Sequence, residues 1–234
     1  MKKVAILQSN YIPWKGYFDI IASVDEFIIL DTVQYTKNDW RNRNKIKTPN
    51  SLIWLTVPVL TKGRHNQLIK DVEIANDSWV YKHWNSLEHN YKKSRYFKEV
   101  SEWLKPIYFN KNYRLLSELN QVFIKEISRY LNINTRIIDS ERFQTSTDKS
   151  QRLIDILLEV NAKIYLSGPA AMSYIDQEKF CLNGLKVDWM NYSNYPIYDQ
   201  RWDPFHHNVS ILDLIFNCGF KSRKYMKYAN KLYN

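Results

Sequence analysis

Glycine and proline are sparse in this sequence, with 5 Gly and 7 Pro, and that scarcity excludes a long flexible linker or a low-complexity tail. Cysteine is scarcer still. Cys181 and Cys218 sit in mostly apolar contexts with no CxxC or Cys/His ligand spacing. Both are expected to be buried free thiols, which suits a reducing compartment. Long hydrophobic runs are missing as well. The opening MKKVAILQSN offers four apolar residues before Gln8, short of the about 7–15 of a signal peptide and the about 20 that span a bilayer. The expectation is a cytoplasmic protein without a membrane span. GxSxG, Walker A and DxD-flanked sugar-nucleotide motifs are all absent, which argues against a nucleophile-elbow hydrolase and a P-loop NTPase.

What is present is aromatic and basic. The 234 residues include 8 Trp, 17 Tyr and 10 Phe, and 44% are hydrophobic, enough for a sizeable core in one large domain or a main domain with a lobe. The net charge of +10 has three readings. It suits nucleic-acid binding, or a basic cleft for a phosphorylated small molecule, or a Lys- and Asn-rich composition spread over a solvated surface.

Along the chain, VAILQ (4–8) is a short apolar run that predicts a buried strand, KGYFDIIASV (15–24) a helix and EFIILD (26–31) a second strand. Strand, loop, helix and strand within thirty residues make a βαβ unit, so the strands should be parallel. A polar loop (32–50) ends at the turn signal Pro49-Asn50, SLIWLTVPV (51–59) predicts a third strand, and LIKDVEI (68–74) a further short one. Asn76 or Asp77 is positioned to cap a helix to about residue 91, a second helical segment covers 95–109, and 112–131 has the clearest 3.6-residue period of the chain. Strands at 135–139, 162–168 and 185–191 alternate with helices at 149–161, 173–183 and 209–217. The fold class expected is α/β, a parallel Rossmann-like sheet in a single domain (1–234) with a helical insertion around residues 76–131.

Ligands of open α/β sheets bind beyond the carboxyl ends of the strands, which directs attention to two loops. The first runs Gln8, Ser9, Asn10, Tyr11, Ile12, Pro13, Trp14, Lys15, Gly16, Tyr17. Amide side chains, a rigid Pro, a Gly, a lysine and a helix start suggest a phosphate or carboxylate cradle; an ordinary βα loop packed with aromatics is the alternative. The second follows Asp31 and contains Gln34, Tyr35, Lys37, Trp40, Arg41, Asn42 and Arg43. Its arginines suit bidentate anion binding and its rings suit a sugar or base, against the alternative of a solvated charge run. Ser167-Gly168-Pro169 closes a later strand, either as a structural turn or as backbone N–H groups aimed at a ligand. His206-His207 precedes the last helix and supplies a candidate general base. Asp213 is expected on an exposed polar face, and His65, His83 and His89 as surface or helix residues without a partner pattern.

The stretches QSNYIPWKGYFDII (8–21), DTVQYTKNDWRNRNKI (31–46) and WLTVPV (54–59) resemble the WbqC-like family, as do RLIDIL (152–157), IYLSGPAAMSYID (164–176), YPIYDQ (195–200) and FHHNVSILDLIFNCG (205–219). Ser9 departs from the family pattern, which has Pro there. The resemblance implies work in surface-polysaccharide (O-antigen) biosynthesis and narrows pathway more than chemistry. A weaker similarity, through Asn10, Pro13, Gly16, Tyr17 and Ile20, is to the phosphate-binding turn of adenylyl-transferring enzymes such as pantothenate synthetase. Trp14 and Tyr17 stand where those enzymes carry histidines.

Taken together, these readings predict a transferase that acylates or aminoacylates the amine of a nucleotide-linked amino sugar, using ATP or an activated acyl donor. Lys15, Arg41 and Arg43 would hold phosphate, and Tyr35 and Trp40 would stack on sugar or base. Gln8, Asn10 and Gln34 would orient polar groups, and His206, His207 and Asp31 would form the catalytic set. A noncatalytic nucleotide- or sugar-binding accessory protein and an RNA-binding protein, for instance one that binds aminoacyl-tRNA, remain open alternatives.

Overall fold

A computed structural model describes residues 1–110 and 112–230. The described chain forms, in order, β1 (Lys3–Leu7), α1 (Lys15–Ala22), β2 (Glu26–Ile29), β3 (Arg43–Lys47), β4 (Leu52–Thr56), α2 (Ser78–Tyr91), α3 (Phe97–Tyr108), α4 (Leu116–Tyr130), β5 (Arg136–Asp139), α5 (Lys149–Glu159), β6 (Ile164–Ser167), α6 (Gln177–Leu182), β7 (Lys186–Trp189) and α7 (Ile211–Cys218). β1 is apolar at successive positions because both faces of its sheet are covered. Ala5, Phe27, Ile29 and Leu166 join a core with α1, α2, α3, α4 and α7. Val4, Ile6, Ile28, Ile138 and Tyr165 pack on the other side with α5 and α6.

The main sheet has five strands, all parallel, in the order β5-β2-β1-β6-β7. Counting only the strands of this sheet, that is the 3-2-1-4-5 order of Rossmann-like folds. The connection from β1 leads toward β2, whereas the connection from β6 leads toward β7. The topological switch point therefore lies between β1 and β6, where the carboxyl-terminal loops diverge and leave a crevice.

Three sequence expectations need correction. The segment 32–50 is not all loop: Arg43–Lys47 pairs antiparallel with Leu52–Thr56 in a separate two-stranded sheet. Residues 68–74 form a single 3-10 turn at Ile69–Asp71, flanked by isolated bridges. Ile69 and Val72, three apart, are both fully buried, which matches the three-residue period of that turn. Cys181 is exposed, while Cys218 is buried as expected. Among the described residues, no helix is long and apolar enough to cross a membrane.

Candidate functional site

A cleft of about 660 Å³ opens at the carboxyl edge of β1, β2 and β6. Its floor is apolar, from Ile6, Leu7, Leu30 and Tyr165. One wall comes from the loop after β2 and the 66–68 segment, with Thr32, Gln34, Thr36 and Asn66 beside Gln8 of the loop after β1. The opposite wall is the start of α5, with Thr147, Lys149, Ser150 and Arg152, and the exposed Tyr174 closes the rim. An apolar floor with a few convergent amides, hydroxyls and cations is the usual build of a small-ligand site.

Gln34 is held by an antiparallel bridge to Leu68, and its amide donates to the His65 carbonyl at 3.2 Å. Thr32 Oγ1 lies 3.2 Å from Ser140 Oγ. Arg152 is fixed by donating to the Ser146 and Thr147 carbonyls, which leaves Lys149 as the exposed cation of this wall. The Asp148 side chain accepts from the Gln151 N–H at 2.8 Å and caps the helix.

The two loops singled out in the sequence do converge. Tyr11 N donates to the Trp40 carbonyl at 3.0 Å, and Ser9 N donates to Asp31 Oδ1 at 2.9 Å. Arg41 reaches the Ser9 carbonyl at 3.4 Å and Asp39 at 3.7 Å. Their meeting is packed, however, and most of the side chains brought together are spent inside the protein. Asp31 is fully buried, accepts from Ser9 and Ser117, and has its pKa raised by desolvation. Tyr17 donates to the Gln8 carbonyl, Asn42 donates to the Val57 carbonyl, and Tyr35 is buried. Lys37 is exposed on the outside of the loop.

The start of α1 is closed by aromatic rings. A Cβ on Gly16 would sit 2.2 Å from the Trp14 indole, and that indole packs edge-on against Tyr192 and Tyr195. Lys15 is 3% exposed, donates to the Pro196 carbonyl at 3.0 Å and lies over the Tyr195 ring. Burial lowers its pKa to about 8.

Asn10, Trp14 and Trp40 share a second recess of about 280 Å³ with Pro13, Asn44, Lys45 and Asn208. Trp40 and Trp54 are both exposed and tilted against each other at 5.4 Å, and Arg43 lies 4.2 Å over the Trp54 ring. Gln8 and Gln34 therefore line the switch-point cleft, while Asn10, Trp14 and Trp40 line a different recess. Ser167 ends β6, buried and hydrogen-bonded to the Tyr165 hydroxyl, and Gly168 lies beside Tyr192.

His206 and His207 lie among the aromatics near Lys15 and line neither opening. The backbone N–H of His206 donates to Gln200, and the His207 ring packs against Phe205 and Tyr195. Burial, then the nearby Lys15 charge, lower the pKa of His207. Asp213 is not on an exposed face: it is fully buried and accepts from Tyr91, Tyr198 and Gln200. His83 is a helix residue, in α2, but it is buried and has partners. It is 4% exposed and bridges the Tyr11 hydroxyl and the Thr56 carbonyl.

Sequence reasoning missed Thr32, Thr36, Asn66, Lys149 and Arg152 as parts of one cleft. The βαβ pattern pointed to the sheet edge where this cleft lies, but nothing local ties residues 147–152 to Gln8. Only the position of α5 after β5 in a parallel sheet could have suggested it.

The WbqC-like protein family matches residues 8–225. A protein of Mycobacterium tuberculosis (strain ATCC 25618 / H37Rv), described as uncharacterized protein Rv1507c, is 47% identical over 231 residues, covering 99% of this chain and all of that protein. No solved structure matches.

Proposed function

The chain belongs to the WbqC-like family, and from that premise we propose that it is a transferase of surface-polysaccharide biosynthesis acting on a nucleotide-linked amino sugar bound in the switch-point cleft. The observation that carries this reading is the lining of the cleft. Gln8, Gln34 and Asn66 offer amides, and Thr32 and Thr36 offer hydroxyls, around an apolar floor, with Lys149 on the facing wall. Neutral donors and acceptors match the hydroxyls of a sugar, and a lysine at the rim matches a phosphate as a point charge. Tyr174, exposed at the opening, supplies a ring face for a base.

In this reading the sugar amine attacks the carbonyl carbon of an acyl or aminoacyl donor. The new C–N bond forms as the donor's leaving group departs, and the proton the amine loses passes to that leaving group or to water. An amine resembling an α-amino group, with a pKa of about 8, carries a useful neutral fraction near neutral pH. Orientation of the amine against the donor then supplies much of the acceleration, since a well-held pair avoids the entropic cost of encounter. That fits a cleft whose polar lining consists of amides, hydroxyls and cations rather than carboxylates or imidazoles.

The experiment is direct. The protein is incubated with UDP- and dTDP-linked amino sugars and with acetyl-CoA, or with an amino acid and ATP, and products are read by mass. An acylated sugar nucleotide supports the proposal. Tight sugar-nucleotide binding with no product from any donor would favour the noncatalytic reading, and no binding at all would remove the cleft from consideration.

A further inference from the structure

A cavity on another part of the molecule gathers positive charge with little to balance it. It measures about 350 Å³ and lies between the turn joining α2 to α3 and the carboxyl end of α7. Lys93 and Arg95 come from that turn, Arg201 from the segment before α7 and Lys221 from the segment after it, with Asp199 as the one carboxylate. Four cations against one carboxylate leave three net positive charges in the lining. Among the described residues, none of the four cations is in an ion pair or a side-chain hydrogen bond, in contrast to Arg64, Arg129 and Arg136 elsewhere on the surface.

Arg201 is the informative member. It is half-buried, its guanidinium lies 4.9 Å from the centre of the Trp202 ring, and its Nε–H is buried without an acceptor. A guanidinium presents its N–H donors in a planar fork that matches phosphate oxygens bidentately, and Arg201 carries that fork into the lining of this cavity. Like charges brought together from three separate segments repel one another, and a bound anion offsets that repulsion.

We propose that this cavity is a binding site for a diphosphate group, with Arg201 as its anchor and Lys93, Arg95 and Lys221 as its counter-charges. The volume is at the lower end of small-ligand sites, which run from about 300 to 1,000 Å³, and suits a compact anion. Three net charges match a diphosphate better than a single phosphate, which carries at most about two. An RNA backbone asks for cations in a stripe along the strand, whereas these converge on one cavity. The site is independent of the switch-point cleft, with which it shares no lining residue.

The test measures binding of inorganic pyrophosphate to the full chain by calorimetry, beside inorganic phosphate, UDP and a short single-stranded RNA. Pyrophosphate and UDP should bind, and phosphate more weakly. Arg201→Ala and Lys221→Gln should each weaken pyrophosphate binding, the former by roughly tenfold or more. Lys125→Gln, which removes the same charge from the exposed face of α4, should leave it unchanged. Lys221 is exposed, so its variant keeps the test decisive even if Arg201→Ala fails to fold. Binding that survives both variants, or is lost instead with Lys149→Gln, overturns the assignment. So does binding of RNA alone with a steep dependence on salt.

Discussion

His83 shows how burial sets the chemistry of a single residue. Its Nε2 faces the Thr56 carbonyl at 3.1 Å, and that carbonyl can only accept. The neutral ring therefore carries its proton on Nε2 and accepts at Nδ1 from the Tyr11 hydroxyl, 2.9 Å away. Burial lowers the pKa from 6.5 to about 4. The unfolded chain then binds one more proton than the native state between those values, so the contribution is present above pH 6.5 and lost as pH falls through about 4. Thermal midpoints measured from pH 7 down to pH 4.5 should fall, and His83→Gln should flatten that fall. Parallel slopes for the two proteins would remove His83 as the cause. Buried donors left without an acceptor are also expensive. Asp213→Ala, which strands the Tyr91, Tyr198 and Gln200 donors around an emptied carboxylate site, should cost about 1–3 kcal/mol by denaturant titration; Asp213→Asn, which keeps an acceptor there, should cost less.

At the scale of elements, the loop between β1 and α1 is held against its own preference. Ile12 has φ of +35°, a left-handed value that a β-branched residue rarely adopts, and it is fully buried. Asn44 of β3 donates to both the Tyr11 and Ile12 carbonyls, at 3.2 and 2.9 Å. Asn120 of α4 donates to Ser9 Oγ and to the Arg41 carbonyl. The hairpin and α4 thus fix the loop that carries Gln8 and Asn10. Asn44→Ala should destabilise the protein by about 1–3 kcal/mol, the range for leaving buried polar groups unmet. It should also raise amide hydrogen exchange over 9–13 before that of β1; uniform exchange across both would contradict this anchoring role. None of this was legible beforehand. RNKIK contains one apolar residue in five, so β3 gave no alternating signal, and its buried Asn44 looks like any loop asparagine until its two carbonyl partners are known. The main-sheet strands and α4 were legible because their apolar positions follow the period of their own geometry.

For the whole molecule, topology decides more than composition. The 3-2-1-4-5 order puts the switch point between β1 and β6, and the sequence pointed to that edge through its βαβ pattern. Which side chains face the opening was legible only for Gln8 and Gln34, because Lys15, Asp31 and Arg41 turn inward through contacts with residues distant in sequence. The net charge of +10 is likewise ambiguous as a number, and becomes specific only where four cations share one cavity. Asp19 offers another case. It is fully buried and accepts from the Tyr195 hydroxyl and from the backbone N–H groups of Lys227, Tyr228 and Ala229, so it ties the end of the described chain to α1.

The most direct test of the central claim is the shift in thermal midpoint produced by a UDP- or dTDP-linked amino sugar, compared between the wild-type protein and Gln34→Ala and Lys149→Ala. A ligand that binds only the native state raises the midpoint by mass action. The switch-point cleft predicts a clear rise for the wild type and a much smaller one for both variants, each rise taken from that protein's own ligand-free midpoint, which Lys149→Ala leaves unchanged because its side chain is exposed and Gln34→Ala lowers slightly through the lost bond to His65. An equal rise in all three proteins, or none in the wild type, would contradict it.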